Sequence, residues 1–195
     1  MKKKILAACL VVCLLATAVI GTTLAYFTDT KEVTNTFSSG NVTITLDEAP
    51  VGPDGQATSG DRVTTNNYKL YPGKEYDKDP TITVASGSED CYLFVKVENG
   101  LAELEAEGET TIAAQMAAKG WTSVAGETNV YMQSGIYSAE ARAVVFETFT
   151  IDTAETATTL ASAKDVVITA YAVQAEGFTS AQAAWDATYG APVEP

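Results

Sequence analysis

The chain has 195 residues with 12 basic and 25 acidic side chains, no histidine and a net charge of −13. This surplus of carboxylates repels a phosphate backbone, so nucleic acid is excluded as a partner. Without histidine the chain lacks Ser-His and Cys-His dyads and every zinc site built on imidazole, which disfavours most hydrolases. The apolar fraction of 46% is enough to bury the core of one globular domain.

The N-terminus has the three parts of a secretory signal peptide. Lysines at positions 2–4 precede an apolar run over residues 5–20, and small residues stand at Thr23 and Ala25. The pattern predicts a signal peptide over residues 1–25 that is cut between Ala25 and Tyr26, and hence a secreted protein. If uncleaved, the apolar segment is long enough to serve as a membrane anchor, so the membrane is a predicted partner only through this segment.

Removal of the signal changes the charge and the cysteine content. The loss of Lys2, Lys3 and Lys4 makes the net charge of −13 more negative by three units. Cys9 and Cys13 also leave, so the mature domain keeps a single cysteine, Cys91, and forms no intramolecular disulfide. Cys91 lies in an apolar run and is predicted to be a small buried apolar residue.

Alternating apolar and polar residues predict several β-strands. The clearest is the stretch 41–46, in which valine, isoleucine and leucine alternate with asparagine and threonine. The same period or an enrichment in β-branched and aromatic residues predicts further strands. They cover residues 81–84, 92–97, 143–151 and 165–174, with shorter candidates at 63–65, 68–70, 121–124 and 129–133.

Helical periodicity is confined to three short segments. They span residues 109–119, 153–163 and 179–189, with Asp152 or Thr153 as the predicted N-cap of the second and a Thr179/Gln182 capping box for the third. Many short strands separated by proline and glycine turns predict an all-β fold, a jelly-roll β-sandwich with short helical insertions. We assign residues 26–40 to a mature N-terminal segment and residues 41–195 to the sandwich.

The search for functional residues finds few candidates. Glu75, Asp77 and Asp79 alternate, and on an extended chain they would share one face. They are weak candidates for a Ca²⁺ site or an acid/base pair, and a solvated turn is the favoured interpretation. No catalytic residue and no cofactor is predicted.

Aromatic residues offer a second candidate. A platform on which a glycan stacks could be drawn from Tyr68, Tyr71, Tyr76, Trp121 and Trp185, but packing in the core or in turns is the favoured interpretation. Trp185 is predicted to anchor the third helix on a sheet.

Two stretches resemble a known family. Residues 23–29 (TLAYFTD) followed by 35–42 (NTFSSGNV) closely resemble the N-terminus of the TasA/camelysin family. Residues 70–73 (LYPG), 78–84 (KDPTITV), a Gly87-Ser88 turn and the strand after it resemble the family's succession of Pro-Gly turn, strand, polar turn and strand. The resemblance covers roughly the first half of the chain.

The resemblance implies a secreted jelly-roll subunit of fibres in the extracellular matrix of a biofilm or at the cell surface, of the Gram-positive type. Its signal peptide would be cut by a peptidase of the SipW type. In that family the mature N-terminal segment leaves its own domain and completes the sheet of the next subunit, which makes a homopolymer. The matching residues here are Tyr26, Phe27, Val33 and Phe37 for the donor strand and Ser38, Ser39 and Gly40 for the hinge.

Three alternatives stay open at this point. Residues 26–37 form either a donor strand or the first strand of their own monomer. The protein is either a fibre subunit or a monomeric secreted β-sandwich module that binds glycans or surface proteins through loops around Tyr71 and Trp121. Some camelysin relatives carry a metallopeptidase label, but a chain without histidine gives no reason to transfer that activity, so no enzyme is predicted.

Overall fold

A computed structural model describes residues 41–190. These residues form the strands β1 (Ile44–Asp47), β2 (Glu75–Asp77), β3 (Thr81–Val84), β4 (Cys91–Asn99), β5 (Trp121–Ser123), β6 (Val130–Gln133), β7 (Arg142–Val144), β8 (Thr148–Thr150) and β9 (Val166–Gln174), and the helices α1 (Ile112–Ala118), α2 (Ala157–Leu160) and α3 (Ala181–Thr188). The all-β prediction is confirmed, because antiparallel strands dominate and the helices are short. The predicted signal peptide with its cleavage site, the donor strand and the hinge lie outside the described residues.

The strands form two layers around a main core. One layer contains the sheet β1-β3-β7 and the pair β2-β8, and the other is a four-stranded sheet in the order β5-β6-β4-β9. Ile82 and Val84 of β3 and Leu93 and Val95 of β4 are fully buried in the same cluster. Burial of such side chains from both layers supplies the main driving force for folding.

The second face of the four-stranded sheet carries α3. Alternation along β4 directs Tyr92 and Phe94 away from the main core, into a second cluster with Trp185. The Trp185 ring lies 5.0 Å from the Phe94 ring, centroid to centroid. The prediction that Trp185 anchors the helix on a sheet is therefore confirmed.

The predicted strand 143–151 is wrong as a single element. The structure divides it into β7 and β8, which belong to different sheets. Val145 and Phe146, between them, are both fully buried, so the period-2 alternation of a half-buried strand is broken there. A segment that is buried on both sides is apolar throughout, as a buried strand is. For this reason the sequence predicts one continuous strand over residues 143–151.

The helices are shorter than predicted, and two of their caps differ. Thr156, not Asp152 or Thr153, caps α2. Ser180, not Thr179, caps α3 by accepting a hydrogen bond from the Ala183 N–H. No helix among residues 41–190 is long and apolar enough to cross a membrane.

Candidate functional site

The longest strand at a sheet edge of the described domain is β9, and its outer edge offers unpaired backbone groups. Within residues 41–190, β9 pairs with β4 on one side and with no strand on the other. Its nine residues, VVITAYAVQ, contain neither a charged side chain nor proline. Natural proteins protect exposed edge strands with such residues, because a free edge is a template for pairing with another chain. An edge of this length without protection is expected to have a partner.

The β4–β9 ladder shows which backbone groups are free. The Ala175 N–H donates to the Asp90 carbonyl at 2.8 Å, and the Gly100 N–H donates to the Asp165 carbonyl at 3.2 Å. In an antiparallel ladder hydrogen-bonded and non-hydrogen-bonded residues alternate, so odd-numbered residues of β9 bond to β4. The even-numbered residues, from Val166 to Gln174, therefore direct their N–H and C=O groups to the free edge.

A groove lies beside the first half of this edge. Its volume is about 990 Å³, and its two walls are residues 64–72 on one side and residues 157–168 on the other. The lining combines apolar residues such as Leu70 and Ile168 with charged residues such as Lys164. Val167 is 46% exposed at this place. The groove thus places apolar side chains next to free backbone groups, and both are features that bind an extended peptide.

Residues 64–70, which make up most of the groove wall 64–72, are extended chain that forms no hydrogen-bonded ladder with another strand of the described domain. Exposure alternates along residues 66–70 as it does in a strand, and Tyr68 and Leu70 pack against the main core. No backbone group of residues 64–70 bonds to another backbone group of the described chain. The strands predicted at 63–65 and 68–70 are therefore absent from the domain, except that Val63 forms an isolated bridge with Glu48.

A buried ion pair lies at the groove. The Lys78 ammonium is 2.6 Å from the Glu48 carboxylate, and these side chains are only 12% and 5% exposed. The Tyr68 hydroxyl donates to the Asp77 carbonyl at 2.9 Å, and burial, aided by the charge of Glu48, raises the pKa of this phenol. These contacts keep the base of the groove fixed, because a buried charge without its partner is strongly unfavourable.

The chain enters the domain at the end opposite the groove. Asn41 accepts a hydrogen bond from the Glu89 N–H at 3.1 Å, next to the start of β4. Cys91 pairs there with Gln174, and we call this the proximal end of the sheet. Asn99 pairs with Val166 at the other end, the distal end, where the groove lies. The nine residues of β9 separate the two ends by about 30 Å.

The acidic candidates for a metal site have other partners. Asp79 is ion-paired with Arg62 at 2.8 Å and accepts a hydrogen bond from the Ala49 N–H. Asp77 accepts a hydrogen bond from the Ala57 N–H at 2.7 Å. Glu75 is exposed at the start of β2. Over residues 41–190 no group of three or more histidine, cysteine or acidic side chains is arranged to hold a metal ion.

The candidate aromatic side chains do not form a platform, and three of them, Tyr76, Trp121 and Trp185, are buried, as the favoured interpretation predicts. Trp121 is 3% exposed, and its indole N–H donates to the Val144 carbonyl at 3.0 Å. Tyr76 is fully buried, and its ring stacks on that of Phe149. Tyr71 is 45% exposed, beside the groove. Trp121 is thus part of the core, and the glycan-binding alternative loses one of the two residues on which it depended.

Cys91 is buried, as predicted. Its side chain has no exposed surface, and desolvation raises the pKa of the thiol to about 11. Because the thiolate is the reactive form, this cysteine is inert in the folded domain at neutral pH.

Fold and site together define an all-β domain that presents a free edge and an adjoining groove. Residues 1–72 match the model of a family described as camelysin metallo-endopeptidase, and this confirms the resemblance to the TasA/camelysin family over that part of the chain. The match includes residues 26–40 and the groove wall 64–72, whereas β9 lies beyond it. No curated protein and no solved structure matches the chain.

Proposed function

We propose that the protein is a secreted structural subunit of extracellular matrix or cell-surface fibres, and that the groove beside β9 accepts residues 26–37 of another subunit. The observation that carries the proposal is the nine-residue free edge next to a groove that is lined by both apolar and polar residues. The inserted segment would add a strand to the sheet, with backbone hydrogen bonds for affinity and alternate side chains for register.

The composition of residues 26–37 fits this role. Phe27, Val33 and Phe37 are all odd-numbered, so an extended chain presents them on one face. Threonines occupy four of the even positions, on the face that would meet solvent. Twelve residues of strand extend about 40 Å, enough to cover the whole edge of β9. Segment and edge therefore match in length and in polarity.

Secretion and processing complete the proposal. The signal peptide over residues 1–25 would be removed by a peptidase of the SipW type, and this releases Tyr26 as the new N-terminus. Subunits joined in this way make heterologous contacts, which generate an open fibre because they need not close into a ring.

Truncation tests the proposed function. The mature protein from Tyr26 is expected to form fibres, while a version that begins at Ser38 stays monomeric, because it keeps the groove and lacks the donor. Size-exclusion chromatography with negative-stain microscopy measures the difference, and circular dichroism checks that both versions are folded. Fibres from both versions, or monodisperse monomers from both, would contradict the proposal.

We infer further that the protein has no peptidase activity, although the matching family bears a metallo-endopeptidase description. Zinc peptidases of the usual kind bind their metal through imidazole, and this chain has no histidine. The purified mature protein is expected to leave casein intact with and without added zinc. Hydrolysis that a chelator abolishes would show the opposite.

A further inference from the structure

We infer that the donor segment runs antiparallel to β9, with Phe37 at the distal end of the acceptor and Phe27 towards its proximal end, so that the fibre grows along the direction of β9. This inference rests on the proposed function and adds the polarity of assembly to it. It follows from where the chain enters the domain and where the groove lies.

The position of Phe37 determines where the donor subunit sits. Only residues 38–40 separate Phe37 from Asn41, and they span at most about 14 Å between flanking Cα atoms. Asn41 is fixed at the proximal end of its own domain by its contact with Glu89. The proximal end of the donor subunit must therefore lie beside whichever end of the acceptor holds Phe37.

An antiparallel donor gives an arrangement that repeats. Phe37 then lies near Val166, at the distal end of the acceptor, and the proximal end of the donor subunit follows directly after it. The proximal end of the acceptor remains free to send its own N-terminal segment to the next subunit. Each subunit thus meets its neighbours through two different ends, and this is the condition for an open head-to-tail fibre.

A parallel donor does not give such a fibre. Phe37 would lie near Gln174, so the proximal ends of the two subunits would meet at the same place. The N-terminal segments of both subunits leave their domains there, and each is then positioned to enter the groove of the other, which closes a pair. The same geometry applies to a segment that folds back on its own domain, because it must reach Asn41 at the proximal end and can pair with β9 only in the parallel direction.

Hydrogen bonding favours the same orientation. Antiparallel pairing is slightly more stable per residue than parallel pairing. On the free edge the odd-numbered residues of β9 take non-hydrogen-bonded positions, where opposite side chains approach most closely. Val167 is such a residue at the distal end, and its side chain is exposed.

Disulfide trapping tests the orientation. The mature protein from Tyr26 is prepared with Thr36→Cys and Val167→Cys, and the matched control carries Thr28→Cys and Val167→Cys. Both threonines are even-numbered and lie opposite the apolar face, so the two proteins differ mainly in the end of the donor that carries the thiol. Cys91 is retained, because it is buried and inert. Mild oxidation followed by non-reducing electrophoresis detects the cross-links, and microscopy records fibres in the same samples.

The Thr36 protein is expected to give a ladder of disulfide-linked multimers, at least about tenfold stronger than that of the Thr28 protein, because only Thr36 lies within disulfide distance of Val167. Stronger cross-linking of the Thr28 protein, which the closed pair of a parallel donor would show as a linked dimer, overturns the antiparallel orientation and leaves the donor strand intact. If fibres form but neither protein gives cross-links, the donor segment does not lie beside β9. A disulfide within the monomer, or the absence of both fibres and cross-links, overturns the proposed function itself.

Discussion

Substitution of Ala170 by proline is expected to stop fibre growth while the domain stays folded. Ala170 is even-numbered, so its N–H points to the free edge and contributes no hydrogen bond to the β4 ladder. Proline on an edge strand is tolerated where the N–H it removes faces away from the sheet. An added strand from another subunit, in contrast, finds one N–H group fewer near the middle of β9, and it meets the proline ring there.

The expected result for Ala170→Pro is a monomer by size-exclusion chromatography, with no fibres by negative stain and a thermal midpoint within a few degrees of that of the truncated parent domain. The matched control is Ser123→Pro on β5, at the opposite edge of the same sheet. The Val124 N–H bonds to the Val130 carbonyl, so by alternation the Ser123 N–H also faces outward. Fibres from Ala170→Pro, or loss of fibres in Ser123→Pro, would show that the free edge of β9 is not the assembly site.

Thr169→Pro distinguishes the loss of hydrogen bonding at the free edge from a general loss of stability of the domain. Thr169 pairs with Lys96 in the β4 ladder at a hydrogen-bonded position, so proline there removes a bond that the folded domain uses. Loss of one ladder hydrogen bond costs about 1 kcal/mol before any steric strain is added. This variant is expected to be clearly less stable than Ala170→Pro, although the two positions are adjacent.

The sequence predicted β4 and β9 well because the enrichment in β-branched and aromatic residues that identifies a strand is local. β4 and β9 are nine-residue runs rich in β-branched and aromatic residues, and successive side chains of β4 enter the main core and the second cluster in turn. The segment 143–151 has equally apolar residues, but its alternation fails at Val145 and Phe146, where the chain passes from one sheet to the other. Composition alone cannot show such a crossing, because either path buries the same side chains.

The groove could not be predicted from the sequence. Its surface combines Glu48, Tyr68, Phe149 and Val166, which are far apart in the chain and meet only through tertiary packing. Nothing in a strand sequence identifies which of its two edges will be free. The strand prediction at residues 68–70 had a physical basis, since Tyr68 and Leu70 are partly buried and Lys69 between them is exposed. The described domain, however, offers this segment no partner strand.

The isolated donor segment is expected to bind and stabilise the truncated domain. A peptide with the sequence of residues 26–37, added to the protein that begins at Ser38, would fill the groove without joining two subunits. Binding to the folded state alone stabilises it by about 2.7 kcal/mol when the peptide is at one hundred times its dissociation constant. For a domain of this size that corresponds to a rise in the thermal midpoint of about 5–10 °C, measurable by differential scanning fluorimetry or calorimetry.

A peptide of identical composition provides the control. Exchange of Phe27 with Thr28 and of Phe37 with Thr36 leaves Val33 in place and divides the three apolar residues between the two faces of an extended chain. No register then directs all three into the groove, so the rise in midpoint should be lost for the most part. Equal stabilisation by both peptides would mean that the domain attracts any apolar peptide. The native peptide in excess should also shorten fibres of the mature protein, because a groove that is already filled cannot accept the next subunit.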